Sequence, residues 1–285
     1  MKQAGKQSIL LVSLCICASS LIAAAATKPT TAAATPAPDS ALASAVSDPA
    51  RTPRFVARDR FRHPAEELAF FGLKPNMTVV EVWPGSGYWT EILGPYLKSS
   101  GHYYAAVTVR GESKEEDKTT AAWRARVEQQ KDHFGTITIT GLGKGHYEVA
   151  PPGSADLIVT FRNLHNWLTD GTAEAAFRAF YRALKPGGVL GIVDHRADPA
   201  RPREVSMKSG YVREDEAVAL ALRAGFRLAA RSEVNANPRD TKDYPEGVWS
   251  LPPTYRLKDQ DRAKYQAIGE SDRFTLKFVK PAGGK

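Results

Sequence analysis

The run Val79-Val-Glu-Val-Trp-Pro-Gly-Ser-Gly-Tyr-Trp-Thr90 leaves the chain few options, because a β-branched stretch stops at a Gly-x-Gly turn and a helix-compatible segment begins at once. A chain leaving a buried strand must reverse tightly there, and glycine permits the positive φ and close backbone approach that the turn requires. The turn's N–H groups and the N-terminus of the following helix are then presented to a polar ligand. This is the pattern of a nucleotide-type cofactor loop, and Trp83 is its unusual member.

Around the loop, apolar runs and helical patterns alternate. Strands are expected over 78–82, 103–109, 136–140, 156–161, 189–193, 226–233 and 273–279. The fourth is apolar over Leu157-Ile-Val159, which marks a strand buried on both faces. Helices are expected over 63–72, 88–97, 119–133, 172–184 and 213–224. The third places Trp123 and Val127 on one face, and the fourth carries Phe177, Phe180, Tyr181 and Leu184 on one stripe before Lys185-Pro-Gly-Gly188 breaks it. Regular strand–helix–strand alternation builds a parallel sheet with helices on both faces. No long helical pattern separates the last two strands, so these are expected to close the sheet antiparallel. The intervening stretch 235–271, rich in Pro, Asp and aromatics, is read as an insertion covering one edge of the site, with Tyr244, Trp249 and Tyr255 as a lid for a partly apolar ligand.

Residues 1–26 read as a secretory signal peptide. Lys2 and Lys6 precede the apolar run Ile9 to Ile22, which is short for a membrane span, and Ala23 to Ala26 give a small-residue exit. Export to the periplasm or the medium is expected, with no transmembrane segment after cleavage; an uncleaved anchor is the alternative. Cys15 and Cys17 fall inside this segment, so the mature chain would have no disulfide, thiolate zinc site or cysteine nucleophile. Residues 27–50, rich in Ala, Pro and Thr, read as a flexible linker, and 51–285 as a single domain. The net charge of +8 falls to +6 when Lys2 and Lys6 leave. Lys and Arg are scattered, with no basic cluster interleaved with aromatics, so no nucleic-acid partner is expected. The oligomeric state is not readable.

Three segments resemble, in order, the motifs of class I S-adenosylmethionine-dependent methyltransferases: Glu81-Val-Trp-Pro-Gly-Ser-Gly87, Ser154-Ala-Asp-Leu-Ile-Val159 and Leu184-Lys-Pro-Gly-Gly-Val-Leu-Gly-Ile-Val-Asp194. Phe161-Arg-Asn-Leu-His-Asn-Trp167 and the stretch 210–253 resemble that family's exported "predicted methyltransferase" branch. The resemblance implies an α/β, Rossmann-like doubly wound sheet of about seven strands, mostly parallel with an antiparallel closing strand and helices on both faces. It also implies S-adenosylmethionine as cofactor, its methionine portion lying on the backbone of Gly85, Ser86 and Gly87. Glu81 would anchor that loop, and Tyr88 would lie beside the cofactor. Trp83 stands where the family usually has glycine, either as a wall of the pocket or as filler beneath the loop. The second strand ends Ala105-Ala-Val-Thr-Val109, without the acid that usually binds the ribose hydroxyls, which leaves Thr108 as a substitute contact and Glu148 as a group that reaches back to the adenine.

Methyl transfer needs in-line positioning, plus a base when the nucleophile is protonated. Ligands of doubly wound sheets lie at the carboxyl ends of the strands, where this chain puts Arg162, Asn163, His165 and Asn166, then Asp194, His195 and Arg196. His165 or His195 is the candidate base, and Asn163 the orienting group and a further cofactor contact. Each also has a plain reading, as a loop cap or a local hydrogen-bonding pair. A metal site on His165, His195 and Asp194 lacks close ligand spacing, and none is expected. Tyr88, Trp89 and Tyr211 are candidates for stacking on an aromatic substrate or the adenine, with core packing the alternative. Three functions follow: methyl transfer to a small-molecule acceptor, exported non-catalytic binding of a small molecule on the same fold, and dinucleotide-dependent oxidoreduction. The last lacks its third glycine, Thr90 standing in that place.

Overall fold

The computed structural model describes Met1, residues 37–109 and residues 117–283. The signal segment with its cysteines, the first part of the expected linker and the charged stretch from Gly111 to Glu116 lie outside the described residues. Eight strands make one sheet: β1 (Thr78–Val82), β2 (His102–Val109), β3 (Ile137–Gly143), β4 (His146–Glu148), β5 (Ala155–Phe161), β6 (Leu184–His195), β7 (Arg227–Ser232) and β8 (Arg273–Val279). Their order is β4-β3-β2-β1-β5-β6-β8-β7. The pairs from β3 through β6 are parallel, and β8 runs antiparallel to both β6 and β7, as the absence of a crossover helix implies. The eighth strand, β4, turns back on β3 through Lys144-Gly145 and spans three residues, too few to show a period in sequence.

Alternate residues of each central strand feed opposite faces. Val80, Ile158, Leu190 and Ile192 pack against Phe177 and Phe180, while Val79, Leu157 and Val159 pack against Phe71, Ile92 and Leu93. The helices are α1 (Ser40–Val46), α2 (Pro53–Val56), α3 (Asp59–Arg62), α4 (Pro64–Phe71), α5 (Thr90–Leu97), α6 (Lys118–Gln129), α7 (Lys131–Phe134), α8 (Leu164–Thr169), α9 (Ala173–Ala183), α10 (Arg203–Lys208), α11 (Glu214–Arg223) and α12 (Arg262–Ile268). Among the described residues, none is long and apolar enough to cross a membrane.

β6 is longer than the expected 189–193, the expected helix 119–133 is split into α6 and α7, and the linker and the insertion also differ from the sequence expectation. The linker expected over 27–50 does not extend to 50, because α1 packs on α5 with Leu42 and Ala45 buried. Asp39 caps α1 by accepting from the Leu42 N–H at 2.7 Å and also accepts from the Tyr96 hydroxyl at 2.6 Å. Alanine-rich composition concealed this helix, whose apolar face is only two residues wide. The insertion 235–271 has a small core of its own, in which Tyr244, Leu251 and Tyr265 are buried. Tyr244 is thus a core residue and not part of a lid.

Candidate active site

β1 delivers the glycine loop to the carboxyl edge of the sheet. Trp83 takes φ 52°, the left-handed conformation that L side chains rarely adopt, at a cost of about 1–2 kcal/mol. Its backbone N–H donates to the Ala106 carbonyl at 2.8 Å and its indole Nε1 to the Leu142 carbonyl at 2.9 Å. The ring also meets Trp167 edge-on, with centroids 5.5 Å apart. These contacts offset the strain and hold β1 to β3, and the indole lines the cavity above.

The two glycines serve different ends. Gly85 has φ 57°, and a Cβ built on it would meet nothing within 4 Å, so its backbone faces open space. Gly87, at φ 89°, leaves no such room: a Cβ there would fall 2.2 Å from Arg126 Nη2 and 2.9 Å from the Trp123 ring. Ser86 is exposed, and its carbonyl accepts from Arg126 at 3.1 Å. Glu81 lies beneath the loop, fully buried, accepting from the hydroxyls of Thr90 at 3.0 Å and of Tyr103. Burial pushes its carboxyl up to about 7 despite those two hydrogen bonds. It anchors the first turn of α5 from below and does not line the cavity.

The cavity holds about 550 Å³ at the carboxyl ends of β1, β2, β3 and β5. Trp83, Gly85, Thr108 and Asn163, all singled out in the sequence, line it. Asn163 spends its amide donors on the Val82 carbonyl at 2.9 Å and the Thr160 hydroxyl at 3.1 Å, so it ties the end of β5 to the end of β1. Asn166, placed at this strand end from sequence, also lines the cavity, together with polar residues that the sequence did not single out, among them Asp117, Lys144 and Asp170. Asp117 caps α6, its carboxylate accepting from the N–H groups of Thr119 and Thr120 at 3.0 Å. It brings an acid to the cavity lining from the α6 side of the β2–α6 connection. Its signal in sequence was the N-cap pattern Asp117-Lys-Thr-Thr120.

Beside the cavity, α8 and the end of β6 meet in a polar cluster. His165 Nδ1 lies 3.0 Å from Asp194 Oδ1, and the His165 backbone N–H donates to Asp194 Oδ2 at 3.1 Å. An ionised carboxylate only accepts, so Nδ1 donates to it, and in the neutral ring the lone pair then lies on Nε2. His195 is placed differently. Its Nδ1 lies 2.5 Å from the Ser271 hydroxyl, and its Nε2 accepts from Arg162 Nε at 3.3 Å. Burial, then the charge of Arg162, holds this imidazole neutral, well below the usual histidine range. With both nitrogens engaged, His195 is a strut, whereas Nε2 of His165 has no hydrogen-bond partner among the described residues. Ligand atoms of His165, Asp194 and His195 come within 4.8 Å of one another. Arg162 beside them makes the spot unfavourable for a cation.

Other candidates fall elsewhere. Tyr88 does not line the cavity; its hydroxyl donates to Asp59 at 2.6 Å and its ring lies 4.5 Å beneath the Arg62 guanidinium. Trp89 stacks on Phe161 in the core, with centroids 3.9 Å apart. Tyr211 is buried, donating to Asp240 at 3.0 Å. Glu148 lies on β4 and lines a separate depression with Tyr104 and Arg182, so it does not reach the cavity. Of the expected lid, Trp249 does approach, its ring 6.2 Å from that of His165.

No protein-family model matches the sequence, and no curated protein matches it. Solved structures are similar in fold. A SAM-dependent methyltransferase from Aquifex aeolicus is 18% identical, with a TM-score of 0.52 over 79% of this chain and 93% of that one. CrArsM, an arsenic(III) S-adenosylmethionine methyltransferase from Chlamydomonas reinhardtii, is 16% identical, with a TM-score of 0.50 over 86% and 74%. The [4+2]-cyclase SpnF is 13% identical, with a TM-score of 0.51 over 74% and 77%. The chain therefore has the Rossmann-like fold of the class I S-adenosylmethionine-dependent methyltransferases.

Proposed function

We propose that this protein, exported by its N-terminal segment, transfers a methyl group from S-adenosylmethionine to a small-molecule acceptor. One observation carries the reading above the others: a cavity of about 550 Å³ is lined by both the left-handed backbone of Gly85 and an acid, Asp117. That volume suits a cofactor of this size, and the donor set suits its chemistry. The open backbone at Gly85 would hold the amino-acid end, Asp117 and Thr108 the ribose hydroxyls, and Trp83 one wall. The cofactor, when bound, supplies a methyl group activated by a sulfonium.

The remaining chemistry belongs to the chain. His165 Nε2 takes the proton from the acceptor, and Asp194 fixes the tautomer and stabilises the imidazolium that results. Asn163 keeps the ends of β1 and β5 in register, so the cavity and His165 hold a fixed relation. Trp249 limits water at the histidine.

Calorimetric titration of the purified chain with S-adenosylmethionine and S-adenosylhomocysteine tests the reading. Saturable binding is expected, lost in Gly85→Val because a β-branched side chain at φ 57° is strained and fills the approach. Absence of heat and of any thermal shift at about millimolar ligand would overturn it.

A further inference from the structure

Four guanidinium groups gather beside His195, and three of them share one carboxylate. Arg58 Nε lies 2.7 Å from Glu270, Arg62 Nε 3.1 Å and Arg273 Nη1 3.0 Å. Arg162, the fourth, has no acidic partner among the described residues; its Nε donates to His195. Burial and then Arg62, Arg58 and Arg273 push the Arg162 guanidinium down to about 9, with Glu270 opposing. The same arginines hold the Glu270 carboxyl far below the usual range, although burial alone would raise it. Four cations around one anion leave an excess of positive charge in a poorly solvated place.

The cluster also keeps donors in reserve. Arg58 Nη2 is buried with no hydrogen-bond partner. The terminal nitrogens of Arg162 donate to nothing among the described residues, and the side chain is only half-buried. Arg162 is held at φ 65°, a left-handed conformation that its backbone N–H secures by donating to the Val193 carbonyl at 2.7 Å. A strained backbone, repelling charges and unused donors all oppose stability, and such a combination is retained where a ligand completes it.

We propose that Arg58 and Arg162 form an anion-binding subsite next to His165 and His195, which takes a carboxylate or phosphate group of the methyl acceptor. The forked donors of two guanidinium groups match either oxyanion. An acceptor anchored here by its acidic end would lie against the His165 dyad. The subsite stands on its own geometry; its assignment to the acceptor rests on the methyl-transfer reading.

The test titrates inorganic phosphate, and separately acetate, into the purified chain at constant ionic strength, followed by calorimetry and melting temperature. Wild type, R162Q, R58Q and the exposed-site control R227Q are compared, each also titrated with S-adenosylhomocysteine. Saturable binding of at least one anion is expected, weakened about tenfold or more in R162Q and R58Q, and unchanged in R227Q. R162Q orphans no acid but removes the donor to His195, so its melting temperature is read beside its binding; R58Q keeps the test decisive if R162Q does not fold. The preferred anion tells carboxylate from phosphate. Equal anion binding by wild type, R162Q and R58Q, or no binding at all, would overturn the subsite. Equal losses of phosphate and S-adenosylhomocysteine affinity in R162Q would give the site to the cofactor's own carboxylate and overturn the acceptor assignment. Phosphate binding without S-adenosylhomocysteine binding would end the methyl-transfer reading and leave the subsite standing.

Discussion

Asp194 lies 3.0 Å from Nδ1 of His165 and also accepts the backbone N–H groups of His165 and, at 2.7 Å, of His195. One buried carboxylate thus fixes the end of β6, the start of α8 and the tautomer of the candidate base. Asp194→Ala leaves three donors without an acceptor and should cost about 3–5 kcal/mol in urea unfolding. Asp194→Asn keeps the shape but lets Nδ1 lose its proton, so turnover should fall by about 10² to 10⁴ with a smaller loss of stability. Equal turnover in wild type and Asp194→Asn would remove His165 from the chemistry.

Asp117→Asn separates cap from ligand. Asparagine caps a helix as well as aspartate does, so the melting temperature should hold. A charged acceptor of hydroxyl hydrogen bonds is lost, worth about 1.5–3 kcal/mol, so S-adenosylhomocysteine affinity should fall by about tenfold to a hundredfold. Unchanged affinity by calorimetry would exclude Asp117 from the ribose.

Trp83→Phe keeps the ring and the left-handed backbone but deletes the indole donor to Leu142. Destabilisation of about 1 kcal/mol is expected by chemical denaturation, with the Leu142 carbonyl left to find another donor. Trp83→Gly relieves the backbone strain yet empties the cavity wall, and should weaken cofactor binding more than Trp83→Phe does.

Two buried acids make stability fall with rising pH. Burial raises Glu67 to about 8, against hydrogen bonding from Asn235, and raises Glu81 to about 7. Each folded-state value exceeds the ordinary 4.5, so the unfolded chain ionises first. The stabilisation is full below that value and is lost as pH climbs through 7 and 8, at up to about 1.4 kcal/mol per pH unit for each group. Glu67→Gln stays neutral throughout, so its melting temperature should drop less than that of wild type between about pH 5 and about pH 8.5. Parallel curves for the two proteins would show that Glu67 is ionised in the folded state.

What was legible in the sequence follows from the range of each signal. The apolar runs of β1, β5 and β8 and the stripe on α9 are periodic over a few residues, so their positions were readable directly. The same holds for the glycine loop, where backbone conformation is a local matter. β4 and α1 were missed because three residues, or a two-residue apolar face, carry no period. Trp83 could be singled out but not assigned, since its role depends on Leu142, which sequence does not place beside it.

By itself, then, the sequence determined the alternating layers, the closing antiparallel strands and a ligand loop at the end of β1, because propensity, turn chemistry and hydrophobic period act between near neighbours. Only the tertiary structure decided which polar groups share that loop's surroundings. Asp117 reaches the cavity across a connection, His165 meets Asp194 across 29 positions, and Arg62 meets Glu270 across 208. Such partnerships depend on strand order and on the register of β5, β6 and β8 along the sheet, and register is set by the packing of the whole core.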